Sequence, residues 1–314
     1  MFDAHYDLLS IYIIAKYHHK LDRLKEYYSH FQRDNITGVF ANLYFMSKKE
    51  MEDELGCVFD EIDVISLFKE AKEEIDKARI RANILYSIEG CDYIKDEKEL
   101  IKLYKLGLDA ILLVWNNKNK YGSGIRTNEG LSEDGRKFIE TAINLGMGID
   151  LSHANEKTFW DIINIIKKEQ EKGKKVHCYA SHSNSYELTN HKRNLTKEQL
   201  ESLANIGGFI GVVSYPLFVG GKTKAKYLEH INYMVKIFGI DKVMLASDDM
   251  SFLKLCNEDA ASKKSGIYEH SFIAKEIRND LKEYYSKQDI EKIMVKNANK
   301  LYNNIKGERN YVRY

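Results

Sequence analysis

Six residues in the chain have side chains suited to binding metal ions or moving protons, and each closes a short apolar run. His5 and Asp7 end the first run (2–7), Glu89 the third (82–89), His153 the fifth (146–153), His182 the sixth (175–182) and Asp248 the eighth (242–248). On an extended strand residues i and i+2 share a face, so His5 and Asp7 point the same way. Taken alone, His-x-Asp is equally a polar surface turn. Glu89 follows Ser87-Ile88, where a buried carboxylate is costly unless paired or coordinated; an exposed strand end is the alternative. His153, in Asp150-Leu151-Ser152-His153, and His182, in Ser181-His182-Ser183-Asn184, occupy equivalent places on consecutive runs. Neutral imidazole is the commonest nitrogen ligand of zinc. Asp248 can hold a water or shuttle its proton. Three histidines and three carboxylates are about what two divalent ions need when one carboxylate bridges them. Such a pair generates a nucleophile and polarises a carbonyl together. The other histidines, His18, His19, His30, His177, His191, His230 and His270, fall in helical or loop contexts and read as structural or surface residues.

The elements that must position these groups follow from the pattern. The remaining runs are the second (37–45), the fourth (110–116, ending in Trp115-Asn116) and the seventh (208–215). Most are continuous in Val, Ile, Leu, Tyr or Phe, as strands buried on both faces are. Between them, 61–79, 132–144, 157–170, 197–206, 226–238 and 288–304 space their apolar residues as helices do, and Thr196 with Gln199 outlines a capping box. Eight strands alternating with helices describe an α/β fold, a (β/α)8 barrel of the TIM type, with chemistry at the C-terminal ends of the strands. The competing doubly wound sheet lacks its Gly-rich phosphate fingerprint, since His5-Tyr6-Asp7 stands after the first strand. No repeat or linker divides the chain, so residues 1–314 read as a single domain.

Composition narrows the partners. Lys+Arg 48 against Asp+Glu 47 gives a net charge of +1, which offers no basic excess for nucleic acid. With 44% hydrophobic residues the chain is no disordered segment. Four scattered cysteines without a C-x-x-C pair point to reduced thiols rather than a disulfide scaffold. The N-terminal stretch lacks a basic start and a small-residue cleavage site, and the last residues are polar, so neither a signal peptide nor a hydrophobic anchor is expected. The expectation is a cytoplasmic protein with no membrane partner. There is one proline, Pro216, where average usage of about 5% would give roughly 16.

The motifs also resemble a known family. Asp3-Ala4-His5-Tyr6-Asp7 is similar to the D-G-H-x-D of the membrane (renal) dipeptidases, metal-dependent dipeptidases on an amidohydrolase-type barrel. Ser87-Ile88-Glu89-Gly90, Gly130-Leu131-Ser132 to Gly135, the run from Asn144 to His153, Ser181-His182-Ser183-Asn184, Arg193-Asn194, Gly207-Gly208 to Tyr215-Pro216, and Gly239-Ile240-Asp241 to Asp248 resemble further motifs of that family in the same order. The resemblance covers nearly the whole chain, from His5 to about Asn304.

It implies a role for each residue. His5 and Asp7 would bind one zinc, His153 and His182 the other, and Glu89 would bridge them. A hydroxide shared by the two ions would attack the scissile carbonyl of an unblocked dipeptide, and Asp248 would pass the proton to the leaving amine. Arg193 would grip the substrate carboxylate; without the resemblance it reads as a surface arginine. Trp115 and Tyr215 would contact substrate, and His191 is a bystander. The family precedent is a homodimer. One departure stands out: many relatives place a histidine at the end of strand four, proposed to contact the tetrahedral intermediate, where this chain has Trp115. A bacterial subgroup shares Trp-Asn and Gly-Ser-Gly here, as in Trp115-Asn116 and Gly122-Ser123-Gly124. Trp115 keeps open hydrolysis of another amide, a lactam or a lactone; a non-catalytic metal-binding barrel is the third reading.

Overall fold

Each of the eight apolar runs forms a strand. The computed structural model describes residues 1–33, 35–58, 61–256 and 274–309. Its strands are β1 Phe2–Tyr6, β2 Gly38–Tyr44, β3 Asn83–Glu89, β4 Ala110–Leu112, β5 Gly148–Asp150, β6 His177–Ala180, β7 Phe209–Val213 and β8 Val243–Ala246. Neighbours pair in parallel, and β8 returns to β1 through Leu245 and Asp3, closing an eight-stranded barrel. The fold is the expected (β/α)8 barrel. Among the described residues no helix is long and apolar enough to cross a membrane. His270 lies outside the described residues.

Inward-facing side chains fill the barrel rather than leaving a pore. Phe2, Phe40, Leu85, Tyr179, Phe209 and Met244 meet there, with Phe2 and Phe40 edge to face at 5.4 Å. Ala298, Leu301 and Ile305 of the helix Asn297–Arg309 pack onto the same cluster. That helix is pinned by ion pairs in which the partly exposed Lys306 and Arg309 each approach the buried Asp109 at 2.6 Å. The expected helix over 288–304 is interrupted: a turn Lys287–Glu291 and a π-helical turn Lys292–Lys296 precede Asn297–Arg309.

The helices expected from amphipathic spacing are present as Val64–Ala78, Glu133–Asn144, Glu156–Glu171, Lys197–Asn205 and Lys224–Phe238. Thr196 and Gln199 form the reciprocal capping box. The helix Leu8–Tyr17 has no polar face to betray it, because eight of its residues are buried. Pro216 opens a single helical turn, Pro216–Val219, directly after Tyr215. Its fixed φ suits that first position, where no N–H is needed.

The loop after β6 is held from several sides. Asn194 donates to the carbonyls of Thr189 (2.9 Å) and Phe218 (2.8 Å), and Asn184 exchanges hydrogen bonds with the backbone of Val213. The Ser185 N–H donates to Nδ1 of His230, 3.2 Å away on the helix Lys224–Phe238. Burial depresses the pKa of His230 from 6.5 to about 4, and burial does the same for His177 at the start of β6. A group whose pKa falls on folding contributes in full above its unfolded value, and its contribution is lost as pH drops toward the folded one. The free energy of urea unfolding should therefore decline between about pH 6.5 and 4, and His230→Gln should flatten that slope. Equal slopes in both proteins would remove His230 from the account.

Candidate metal centre

The six residues picked out by type and spacing converge at the C-terminal mouth of the barrel. His5 lies within β1 and Glu89 ends β3, while Asp7, His153, His182 and Asp248 sit just beyond the ends of β1, β5, β6 and β8. His5, Glu89 and His182 are 1–3% exposed, and Asp7 and His153 are 5% and 8% exposed. One oxygen of Glu89 is 3.2 Å from His5 Nε2 and the other 3.1 Å from His153 Nε2. His153 Nε2 and His182 Nε2 face one another at 3.0 Å. His5 Nε2 stands 3.9 Å from both Asp7 Oδ1 and Asp248 Oδ1. Three donor sets result: His5, Asp7 and Glu89; Glu89, His153 and His182; and His5, His182 and Asp248.

The backbone is bent to make this possible. His153 (φ 67°) and Asp248 (φ 48°) both adopt the left-handed region, which costs a non-glycine residue of order 1 kcal/mol and collects at functional sites. Two aspartates brace the strand ends beneath them. Asp3 Oδ1 accepts the N–H groups of His5 (3.1 Å) and Ser247 (2.9 Å), tying β1 to the end of β8. Asp150 Oδ1 accepts those of Ser152 (2.9 Å) and Ser181 (3.0 Å), tying β5 to the end of β6. Gly211 on β7 gives room for this packing, since a Cβ there would lie 1.7 Å from the Ser181 carbonyl oxygen.

The imidazoles are fixed from behind. His153 Nδ1 lies 2.9 Å from the acceptor Asn116 Oδ1, so Nδ1 carries the proton and Nε2 turns a lone pair into the site. Ser181 Oγ touches His182 Nδ1 (2.6 Å) and His5 Nδ1 (3.2 Å), and Asn42 Nδ2 reaches His5 Nδ1 at 3.0 Å. Asn42 and Ser181 were not foreseen. The signal for Asn42 was available, because it is the one amide inside the otherwise apolar second run.

Several features fit a pair of divalent cations. Asp7 stands at the N-cap of Leu8–Tyr17, the position where an aspartate ordinarily accepts a helix N–H. Its side chain makes no such bond, and its buried Oδ1 has no hydrogen-bond partner. Two imidazole Nε2 atoms at 3.0 Å are repulsive unless a proton or cation lies between or beside them. The donors are nitrogen and carboxylate oxygen, the set suited to zinc and similar ions.

The electrostatics agree. Burial alone would lower the pKa of His5, but Glu89, Asp7 and Asp248 outweigh it and raise it to about 10. Burial lifts Asp7 well above the ordinary carboxylate range and raises Glu89 as well. Burial, with the positive charges of His5 and Arg193 adding, pushes His153 and His182 well below the usual imidazole value. The cluster therefore gathers protons on its carboxylate side and leaves the His153–His182 pair neutral, and divalent cations would displace those protons.

Arg193 is no surface residue. It is 2% exposed, and its Nη1 and Nη2 donate to Ser183 Oγ and the His182 carbonyl, each at 2.9 Å. Its Nε has no partner. Burial lowers its pKa to about 10 against the pull of Asp248 and Glu89. His191 is more than a bystander: its Nδ1 accepts the Arg193 N–H (3.1 Å) and its ring packs on Phe218. Trp115 and Tyr215 both line a cavity of about 360 Å³ that opens onto Asp7, Glu89, His153 and Asp248. A second cavity of about 370 Å³ shares His153 with the first and is lined by Arg193.

Comparison with known proteins agrees with this fold. An uncharacterized protein of the PQQ-III 3′ region of Acinetobacter calcoaceticus is 31% identical over 175 residues, covering 51% of this chain and 53% of that protein. Dipeptidase verJ of Clonostachys rogersoniana is 25% identical over 248 residues, covering 70% and 62%. The chain spans about half the length of the curated relatives it matches first. Among solved structures, a metallo peptidase from Rhodobacter sphaeroides, liganded with a phosphinate mimic of L-Ala-D-Ala, superimposes with a TM-score of 0.69 at 18% identity, covering 97% of this chain and 98% of that one; this likeness is one of fold. The family profile for membrane dipeptidases matches residues 1–312, and the chain belongs to that family, peptidase family M19.

Proposed function

We propose that the protein is a metallodipeptidase that hydrolyses the peptide bond of unblocked dipeptides from a single barrel domain. One observation carries the reading: Glu89 sets each of its carboxylate oxygens against a different histidine, with Asp7 and His182 completing two donor sets around it. His5 and Asp7 would hold one ion, His153 and His182 the other, and Glu89 both. Two such ions, zinc by donor chemistry, supply Lewis acidity at the scissile carbonyl and a water that is nucleophilic at neutral pH.

The chain's own residues do the rest. Asp248 stands beside His5 at the open side of the cluster, 18% exposed, where its carboxylate would take the proton of the attacking water and deliver it to the leaving amine nitrogen. Arg193 would receive the substrate's terminal carboxylate: a buried guanidinium with an unpaired Nε has donors left for an anion. That demand favours a substrate ending in a free carboxylate over a simple amide, lactam or lactone. Trp115 and Tyr215 would bound the substrate on the cavity side. The free thiols of Cys57, Cys91, Cys178 and Cys256 suit a reducing compartment, and the cytoplasm is the location we assign.

Two measurements test this. Metal analysis of the purified protein should find close to two divalent ions per chain, and His182→Ala should lower both metal content and dipeptide turnover. The loss of turnover should exceed about 100-fold, since even a group merely hydrogen-bonded to a ligand is worth 10–100-fold. Full turnover after chelation would end the proposal. The second measurement compares a dipeptide with its C-terminal amide. The native enzyme should prefer the free acid by about 10–100-fold in kcat/KM, the range of a charged hydrogen bond. Arg193→Lys should narrow that ratio, and an unchanged ratio would assign the carboxylate to another group.

A further inference from the structure

The cavity beside the cluster has two kinds of lining. Asp7, Glu89 and Asp248 contribute carboxylates. Tyr44, Trp115, Leu217, Phe218, Phe252 and Leu253 contribute apolar and aromatic surface. Its volume of about 360 Å³ lies in the range of small-molecule sites. Leu217 is 58% exposed at the rim, on the helical turn that Pro216 opens.

Trp115 is fixed in that lining. Its ring lies 6.1 Å from the His153 ring, tilted by 30°. A Cβ on Gly124 would come within 1.9 Å of the Trp115 carbonyl oxygen, so only glycine lets the following loop fold back onto this residue. The loop is closed by the Gly124 N–H donating to Asn117 O (3.0 Å) and the Arg126 N–H donating to Asn116 O (2.8 Å).

The one arginine on this cavity does not turn it into an acid-binding site. Arg126 covers the Trp115 ring at 5.5 Å and pairs with Glu50 at 2.9 Å. Glu50 also accepts from Asn117 Nδ2 at 2.6 Å and caps its own helix through Ser47. Arg126 is thus already paired. An apolar side chain would gain burial against the aromatic walls, whereas a charged one would lose hydration there.

Direction follows from Arg193, which lines the second cavity and not this one. With the substrate's carboxylate at Arg193 and its scissile carbonyl at the cluster, the amino-terminal residue lies in the apolar cavity. We propose that this cavity selects dipeptides whose amino-terminal residue is large and apolar or aromatic, with Trp115 and Leu217 as specificity-determining residues. The inference rests on the dipeptidase reading and deepens it.

The test is a panel of Phe-Ala, Leu-Ala, Gly-Ala, Asp-Ala, Lys-Ala and Ala-Phe on the metal-loaded enzyme. Phe-Ala and Leu-Ala should exceed Gly-Ala and Asp-Ala in kcat/KM by about 10–100-fold, the worth of burying one such side chain. Leu217→Glu, at an exposed position where folding is not at stake, and Trp115→Ala should each shrink the Phe-Ala to Gly-Ala ratio several-fold. Equal rates across the panel, a preference for Asp-Ala or Lys-Ala, or a preference for Ala-Phe over Phe-Ala would overturn the inference while leaving the dipeptidase reading in place. Failure of the whole panel would instead sink that reading. A binding measurement then decides the subsite alone. In Trp160→Phe the sole tryptophan is Trp115, and titration of the holoenzyme with L-phenylalanine should change its fluorescence where glycine does not. No difference between the two amino acids would overturn the inference.

Discussion

The structure depends on holding several like-charged carboxylates together out of water. Asp7, Glu89 and Asp248 meet at the mouth of one barrel, the first two almost fully buried. An unpaired buried charge is strongly unfavourable, and groups so placed shift their pKa or find counter-ions. Here both responses are visible. Burial raises Asp7 and Glu89, and their field keeps His5 protonated up to about 10. The three imidazole Nε2 atoms nonetheless point inward rather than toward solvent. A constellation that must gather protons to stand by itself has been built for something else positive, and its nitrogen and oxygen donors define what that is.

The rest of the barrel mouth can be understood as scaffolding for that arrangement. Closure of the sheet brings the ends of non-adjacent strands within reach of one another, but regular strands alone would not aim His153 and Asp248 inward. The chain takes both residues into the left-handed region just where β5 and β8 end. Asp3 and Asp150 hold the ends in place, each bridging its own strand to a neighbour through two backbone N–H groups. Strain at His153 and Asp248 is thus offset one layer down by charged hydrogen bonds, which are about twice as strong as neutral ones.

This division explains what could be read from the sequence. Strands buried on both faces declare themselves as apolar runs, and all eight were legible. So were the six polar residues that close them, because a histidine or carboxylate at the end of such a run needs a reason. Leu8–Tyr17 was not legible as a helix, since a helix buried all round carries no amphipathic period. The π-helical turn at Lys292–Lys296 does not interrupt the apolar spacing enough to show. The supporting layer was hidden for a different reason. Asp3, Asn42 and Ser181 work through hydrogen bonds across strands distant in sequence, and no local spacing encodes such a partner. Arg193 was singled out only through the family resemblance: in sequence it sits among Thr, Asn, His and Lys as a surface residue would, and the fold reveals that it is buried.

That burial bears on what a net charge of +1 can say about the site. Total charge is irrelevant at this range, because fields between exposed groups are screened within about 8–10 Å. Arg193 and the cluster carboxylates lie behind apolar walls, where charges interact more strongly than in water. The aromatic cavity and the charged site are therefore not independent features. Trp115, Phe252 and Tyr44 line the same cavity as Asp7 and Glu89, and apolar surface beside carboxylates raises the cost of leaving them unmatched. The indole of Trp115 adds apolar surface beside His153. What the site can do therefore depends on where charge is placed within an apolar enclosure, rather than on how much charge the protein carries.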